Sequence, residues 1–344
     1  MLAPHEALHN WNLNLPVQPC PDQGLINHTY LVGSPPQYVL QWVNPIFDPR
    51  IHYDLHAIIQ QLRQLGETMP ELLLNNQGEP FTPAEKGCWR IWSYIEGRTL
   101  HKITTPSIAA AAGRLVGQFH RALAQVEHQF IAPSRDVHNT PQRMQDLQLA
   151  LDKATGHPLE KPATALGQQI LQAWSRWDGE LDLPKRICHG DLKISNLRFA
   201  HQQDKGVCLL DLDTIGPQNL AAELGDAWRS WCNPSGEDEP EKTRFDIDIF
   251  RASAQGWLSN APHLQEQEIT SLVPGIERIC LELSARFCAD SINNTYFKEN
   301  RQRYPQIGQH NLIRSTSQFR LACSAKQQRI PCEQIITRSI QEKQ

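Results

Sequence analysis

Cys188-His189-Gly190-Asp191-Leu192-Lys193-Ile194-Ser195-Asn196 and, beyond a short apolar run, Leu210-Asp211-Leu212-Asp213 decide how this chain is read. An Asp with an Asn five residues later sets an acid–base group beside an amide oxygen in one tight loop. A second Asp after the next hairpin approaches the same point from the other side. Phosphoryl transfer asks for little more than this. It needs a group that orients the attacking hydroxyl and takes its proton, and ligands that hold Mg²⁺ on the phosphates. The spacing therefore suits Asp191 as base and Asn196 with Asp211 as metal ligands. His189 reads as a residue that holds the loop by hydrogen bonds.

The segments around this motif alternate between strand and helix patterns. Arg186–Cys188, Leu197–Phe199 and Val207–Leu212 form an island of strand within a region that otherwise reads as helical. Helices are expected from Thr105-Pro106 onward, where Ile108, Leu115, Phe119 and Leu123 share a face, and over Pro162–Trp177 and Ile276–Phe287. Earlier in the chain, Thr29–Val32, Tyr38–Val43, Leu72–Leu74 and Trp89–Ile95 read as strands. The first two are joined by turn chemistry at Gly33-Ser34-Pro35-Pro36. Asp48-Pro49 looks like a helix start, followed by an apolar stripe at Leu55, Ile58, Ile59, Leu62 and Leu65 and a stop at Gly66.

Composition narrows the class further. The chain has 344 residues, 40% of them hydrophobic and 20% charged, which is enough for a large core in one large or two medium domains. A formal net charge of -4 offers no overall attraction to nucleic acid or to an anionic membrane, and neither is expected as a partner. The polar N-terminus lacks the apolar core of a signal peptide, and no apolar run approaches the length of a membrane helix. Nine scattered cysteines without a CxxC pair read as reduced thiols, and a cytoplasmic location is expected. The sequence leaves the oligomeric state open.

The motif resembles the catalytic and metal-binding segments of the aminoglycoside phosphotransferase and choline kinase superfamily, relatives of the protein kinases. Within it the chain is most similar to the N-acetylhexosamine 1-kinase-like branch. The matching pieces are Gly24–Tyr30, Tyr38-Val39-Leu40-Gln41, Ile91–Gly97, Asp211-Leu212-Asp213-Thr214, Leu224-Gly225-Asp226-Ala227 and His310-Asn311-Leu312. The resemblance implies an α+β, bilobal, protein-kinase-like fold. Residues 1–95 would form a small antiparallel sheet lobe with one helix, and residues 96–344 a large, mainly helical lobe. It also implies an ATP-dependent kinase with Mg²⁺ that phosphorylates the hydroxyl of a small molecule, a sugar such as an N-acetylhexosamine.

By the same resemblance, Gly24, Asn27, Thr29, Gln41, Tyr94, Ile95 and Lys193 would meet the nucleotide, with Ser93–Ile95 as the hinge. Thr214, Arg286 and Tyr296, with Asp191, would meet the acceptor, and Asp226 would start a helix and receive backbone N–H bonds from the catalytic loop. Two features depart from the kinase pattern. Gln41 stands where protein kinases carry the phosphate-pairing Lys, and Ile51–Leu65 holds no Glu to partner one. A neutral amide can donate a hydrogen bond but cannot offset phosphate charge.

Two rival readings remain at the level of sequence. Asp211-Leu212-Asp213-Thr214 resembles the nucleophile motif of haloacid dehalogenase-type phosphatases, in which Asp211 would be phosphorylated. That reading requires alternating βα units and leaves the segment at His189–Asn196 unexplained. The missing Lys instead suggests a kinase-like protein that binds without turnover.

Overall fold

Strand character in the first hundred residues resolves into one antiparallel sheet. The computed structural model describes residues 3–21, 26–133 and 138–342. A short helix, α1 (Pro4–Ala7), precedes β1 (Val17–Pro19), β2 (His28–Val32) and β3 (Tyr38–Val43). Helix α2 (Ile51–Gln64) follows, and then β4 (Thr82–Pro83) and β5 (Cys88–Ser93) complete the sheet in the order β1-β2-β3-β5-β4. Gly33, at φ 97°, closes the β2–β3 turn in a conformation that suits glycine. One face of the sheet buries Leu40, Trp89 and Ile91 against Leu8 and Trp11 of the N-terminal segment.

Helix α2 begins at Ile51, two residues later than the Asp48-Pro49 start expected from sequence. Asp48 directs its carboxylate to the Arg50 N–H at 2.9 Å and to the Arg50 guanidinium, so Asp-Pro forms a turn ahead of the helix. The predicted stripe holds at Leu55, Ile58, Ile59 and Leu62, buried in the core that also contains the helices downstream, but not at Leu65, which follows the last helical residue and is exposed. Leu72–Leu74 does not form a strand. It makes a single bridge, Leu72 to Trp92.

The second region is a helical mass with small hairpins set into it. After β6 (Arg98–Thr99) come α3 (Pro106–Leu123), α4 (Thr140–Asp152) and α5 (Glu160–Ser175). The expected start of α3 is correct: the Thr105 hydroxyl accepts from Ile108 N–H and Pro106 takes the first turn. The island of strand consists of β7 (Arg186–Cys188), β8 (Leu197–Phe199), β9 (Gly206–Leu209) and β10 (Gly216–Gln218). Helices α6 (Leu220–Trp231), α7 (Ile247–Asn260), α8 (Glu266–Asn293), α9 (Gln309–Gln327) and α10 (Arg329–Gln341) follow.

Strand β9 stops at Leu209, short of the expected Leu212, because Asp211 adopts a left-handed conformation at φ 60°. Every strand pairing among the described residues is antiparallel. A haloacid dehalogenase-type phosphatase would need parallel strands joined by helices, and that reading is set aside.

Helices α3 and α7 pack backbone to backbone. A Cβ added at Gly113 would lie 2.0 Å from the Ser253 carbonyl, and one at Gly256 would lie 2.3 Å from that of Ala110. These small residues let α7 bring Trp257 against His120, whose ring accepts its indole N–H at 3.0 Å. Gly113→Ala should therefore force the helices apart and lower stability by about 1–3 kcal/mol. Thermal unfolding checks this, and an unchanged midpoint would show that the contact is slack.

Candidate active site

The loop after β7 is held from every side. Gly190, at φ 85°, lies so near the Thr214 carbonyl that a Cβ there would meet it at 2.6 Å. Glu223 of α6 accepts the N–H groups of His189 and Gly190 at 2.8 and 2.9 Å. The His189 ring donates from Nε2 to the Leu210 carbonyl at 2.9 Å, and its Nδ1 accepts from Asp191 N–H at 3.3 Å. This fixes the tautomer and ties the His189 ring to the loop at Asp191 and to Leu210 after β9. Trp231 Nε1 donates to the Leu192 carbonyl at 2.8 Å, and the Thr214 hydroxyl donates to that of His189 at 2.8 Å.

The expectation for Asp226 is corrected here. It sits inside α6, which starts at Leu220, and its carboxylate pairs with Arg229 at 2.7 Å. Glu223, one turn earlier, receives the loop N–H groups instead. Burial alone would raise the Glu223 carboxyl, but the hydrogen bond from His120 and those from the loop N–H groups outweigh it and leave it lowered.

On this support the reactive side chains converge. Asn196 Nδ2 donates to the Asp191 carbonyl at 2.9 Å and to Asp191 Oδ2 at 3.1 Å. Both partners are acceptors, so the amide must turn Oδ1 the other way, free for a cation. Lys193 Nζ lies 2.6 Å from Asp191 Oδ2 and 3.9 Å from Asp211 Oδ2, bridging the two carboxylates. Burial alone would lower the Lys193 ammonium, but Asp191 and Asp211 reverse this and raise it. The enclosed position of Asp211 and the neighbouring charge of Asp213 raise its carboxyl, although its side chain keeps 45% exposure toward the cleft.

Among the described residues no group of three or more His, Cys, Asp or Glu side chains could hold a metal. One amide oxygen and one carboxylate still fit Mg²⁺, which commonly takes its remaining ligands from phosphate and water.

The sheet side carries a second network. Gln41 Oε1 accepts from Arg90 Nε at 3.0 Å and Trp92 Nε1 at 2.9 Å, while its Nε2 donates to the Thr29 hydroxyl at 3.1 Å. Arg90 reaches on to Asp213 with both terminal nitrogens, at 2.5 and 2.8 Å. Asn27 Nδ2 joins them at Asp213 Oδ2, 2.9 Å away. Burial alone would raise Asp213, but the Arg90 charge and hydrogen bonds hold it low. After β5 the Tyr94 N–H donates to the Gln37 carbonyl at 2.9 Å, and Arg198 donates to the Ile95 carbonyl at 3.2 Å. Gly24 lies outside the described residues.

With this geometry in place, comparison with known proteins decides the family. The profile of the phosphotransferase enzyme family matches residues 18–263, well over half of the chain. The chain belongs to that family. An aminoglycoside phosphotransferase from Alicyclobacillus acidocaldarius superposes with a TM-score of 0.62 at 14% identity, covering 96% of this chain and 97% of that one. A choline kinase from Cryptosporidium parvum gives a TM-score of 0.56 at 12% identity, covering 92% of this chain and 90% of that one. An amicoumacin kinase in complex with AMP-PNP, Ca²⁺ and Ami gives 0.56 at 15%, covering 86% and 87%. The fold is thus the bilobal kinase-like one expected, and the protein is an ATP-dependent phosphotransferase acting on a small-molecule hydroxyl.

The three acceptor residues expected in this phosphotransferase are not brought together. Arg286 and Tyr296 line a pocket of about 410 Å³ between α4 and the end of α8, together with Arg143, Lys153 and Phe297. Thr214 is not part of that lining; it bonds the catalytic loop. Asp290 shapes the pocket wall by accepting from the N–H groups of Thr295, Tyr296 and Phe297. The Arg286 guanidinium lies over the rings of Tyr296 and Phe297, 5.4 Å from each centroid.

Sequence reasoning missed Glu223, Arg90 and the loop-anchoring role of Trp231. The signals were a lone acid in Leu220-Ala221-Ala222-Glu223-Leu224 and a lone cation in Cys88-Trp89-Arg90-Ile91-Trp92. A charge inside an apolar run must find a buried partner.

Glu223→Gln should cost about 1–3 kcal/mol at pH 7, because its amide cannot accept both loop N–H groups with two oxygens. The native carboxyl is lowered, so its contribution is full above the unfolded value of about 4.3 and fades as pH falls through the lower folded value. The stability gap between wild type and variant should therefore narrow on acidification. Equal unfolding midpoints at pH 7 would contradict the assignment.

Proposed function

We propose that the protein passes the γ-phosphate of ATP to a hydroxyl of a sugar, an N-acetylhexosamine being the first choice. The observation that carries the phosphotransfer reading is the meeting of Asp191, Asn196 and Asp211, drawn from separate turns to one point with Lys193 between the two carboxylates. In this reading Asp191 aligns the acceptor hydroxyl and takes up its proton at a carboxylate oxygen. Asn196 Oδ1 and Asp211 hold Mg²⁺, which offsets charge on the phosphates when bound. Lys193, kept charged by the two carboxylates, adds a cation where the phosphate arrives. Residues 1–95 serve as the nucleotide-binding lobe and 96–344 as the catalytic and acceptor lobe, with adenine received along Tyr94 and Ile95.

The sugar reading rests on the resemblance to the N-acetylhexosamine 1-kinase-like branch and on the Arg286–Tyr296 pocket. A guanidinium stacked on aromatic rings beside a pocket of about 410 Å³ suits a polyhydroxylated ring. That pocket carries Arg143, Lys153 and Arg286, with the Asp290 carboxylate already taken up by backbone donors. Asp146, the other carboxylate of the lining, is paired with Arg143 at 3.1 Å, so the three cations outweigh the acids and the pocket disfavours a choline-like cation.

The direct test is a panel of sugars, aminoglycosides and amino alcohols scored by conversion of ATP to ADP. A hexosamine should give the highest kcat/KM, and a preference for choline or aminoglycosides would overturn the sugar assignment. Asp191→Ala should lower kcat about 10²- to 10⁴-fold on the preferred acceptor while the unfolding midpoint stays near wild type. Unchanged turnover would remove Asp191 from the chemistry.

A further inference from the structure

We propose that Arg90 and Asp213 form a positioning pair that ties the nucleotide-facing sheet to the Asp211 loop, replacing the lysine–glutamate pair of protein kinases. The inference rests on the reading of Asp211 as a metal ligand. Register gives the first reason. Gln41 on β3 stands directly opposite Arg90 on β5, so the cation absent from the usual strand appears one strand across. Arg90 Nε holds the Gln41 side chain, and the two terminal nitrogens grip Asp213. A planar fork with five donors can do both at once, whereas a lysine could not.

The partner has also moved. In protein kinases the counter-charge comes from the helix after the strand. Here α2 offers Asp54, but its carboxylate is taken by His128 and by the N–H groups of Ile131 and Ala132. His52, from the same helix, lies near Arg90 and is lowered to about 4 by burial and by the Arg90 charge, so it stays neutral. Asp213 is thus the carboxylate that Arg90 meets, and it lies across the cleft in the other lobe.

Burial says how the pair acts. The Arg90 side chain is 1% exposed and that of Asp213 is 3%, so neither can touch a nucleotide in the cleft. They act through what they hold. Asp213 gathers three hydrogen bonds from the sheet side, two from Arg90 and one from Asn27, whose Oδ1 also accepts from Asn44 N–H at 3.0 Å beside the end of β3. Two residues away, Asp211 holds its left-handed backbone, and among the described residues its carboxylate has only the 3.9 Å approach of Lys193. The geometry of Asp211 is therefore set through Asp213, from the opposite lobe.

The test is calorimetric binding of AMP-PNP, in Mg²⁺ and in EDTA, to full-length Arg90→Lys, Asp213→Asn and the double variant Arg90→Met/Asp213→Asn. The double variant leaves no orphaned buried charge and keeps the test open if a single variant folds poorly. Each variant should lose about 10-fold or more of the affinity gained on adding Mg²⁺, with metal-free affinity nearly unchanged, and the double variant should be no worse than Asp213→Asn. An undiminished Mg²⁺ gain in the double variant would overturn the pair, as would equal losses with and without the metal, which indicate a merely structural role. Asp211→Asn is the control. If it keeps the whole Mg²⁺ gain, the metal-ligand reading fails rather than the pair.

Discussion

Two hydrogen bonds from the Asn196 amide, to the carbonyl and the carboxylate of Asp191, set the spacing on which the site depends. They tie the two ends of the loop together and leave the amide oxygen facing away. The loop can carry that geometry only because its own N–H groups are satisfied from below by Glu223. A buried carboxylate beside His120 is costly in isolation, and two backbone donors make it sustainable. Helix α6 is thereby committed to the loop through Glu223 at one turn and Trp231 near its end. The tightly packed helices beneath hold this base, through backbone contacts that glycine alone permits, such as Gly225 against Gly275.

Charge is distributed across the cleft in an unusual way. The lower lobe presents Asp191, Asp211 and Asp226 with Lys193 and Arg229 among them. The sheet supplies one deeply buried cation, Arg90, and spends it on Asp213 rather than exposing it. The absence of a lysine at Gln41 is consequently not a bare loss of charge. The amide is locked by Arg90 and Trp92 on its oxygen and engages Thr29 through its nitrogen, so the strand is as organised as one carrying an ion pair. In the proposed reading, a metal and Lys193 would meet the phosphate while the sheet would align the site.

Much of this was legible in the residues. The Asp191–Asn196 spacing and the later Asp211 pointed to the segments that the structure brings side by side, since hairpin geometry is local and the chemistry admits few residue types. The apolar stripe of α2 and the Thr105-Pro106 start of α3 were equally clear, being set by periodicity and capping. Partners far apart in the chain were not. Arg90 and Asp213 are separated by 123 positions, and nothing local in either segment names the other. Asp226 drew attention because it completes a recognisable motif, while Glu223, a turn away on the same helix, turns the face that meets the loop. Boundaries failed where a side chain diverts the backbone, as Asp48 does before α2 and the left-handed Asp211 does after β9.

The most direct measurement is a crystal structure with AMP-PNP and Mn²⁺ in place of Mg²⁺, in which anomalous scattering locates the metal without assumption. The account predicts a manganese peak within coordination distance, about 2.0–2.6 Å, of Asn196 Oδ1 and an Asp211 carboxylate oxygen, with Asp191 facing the terminal phosphate. A peak bound by phosphate alone, or by residues outside this trio, would contradict it.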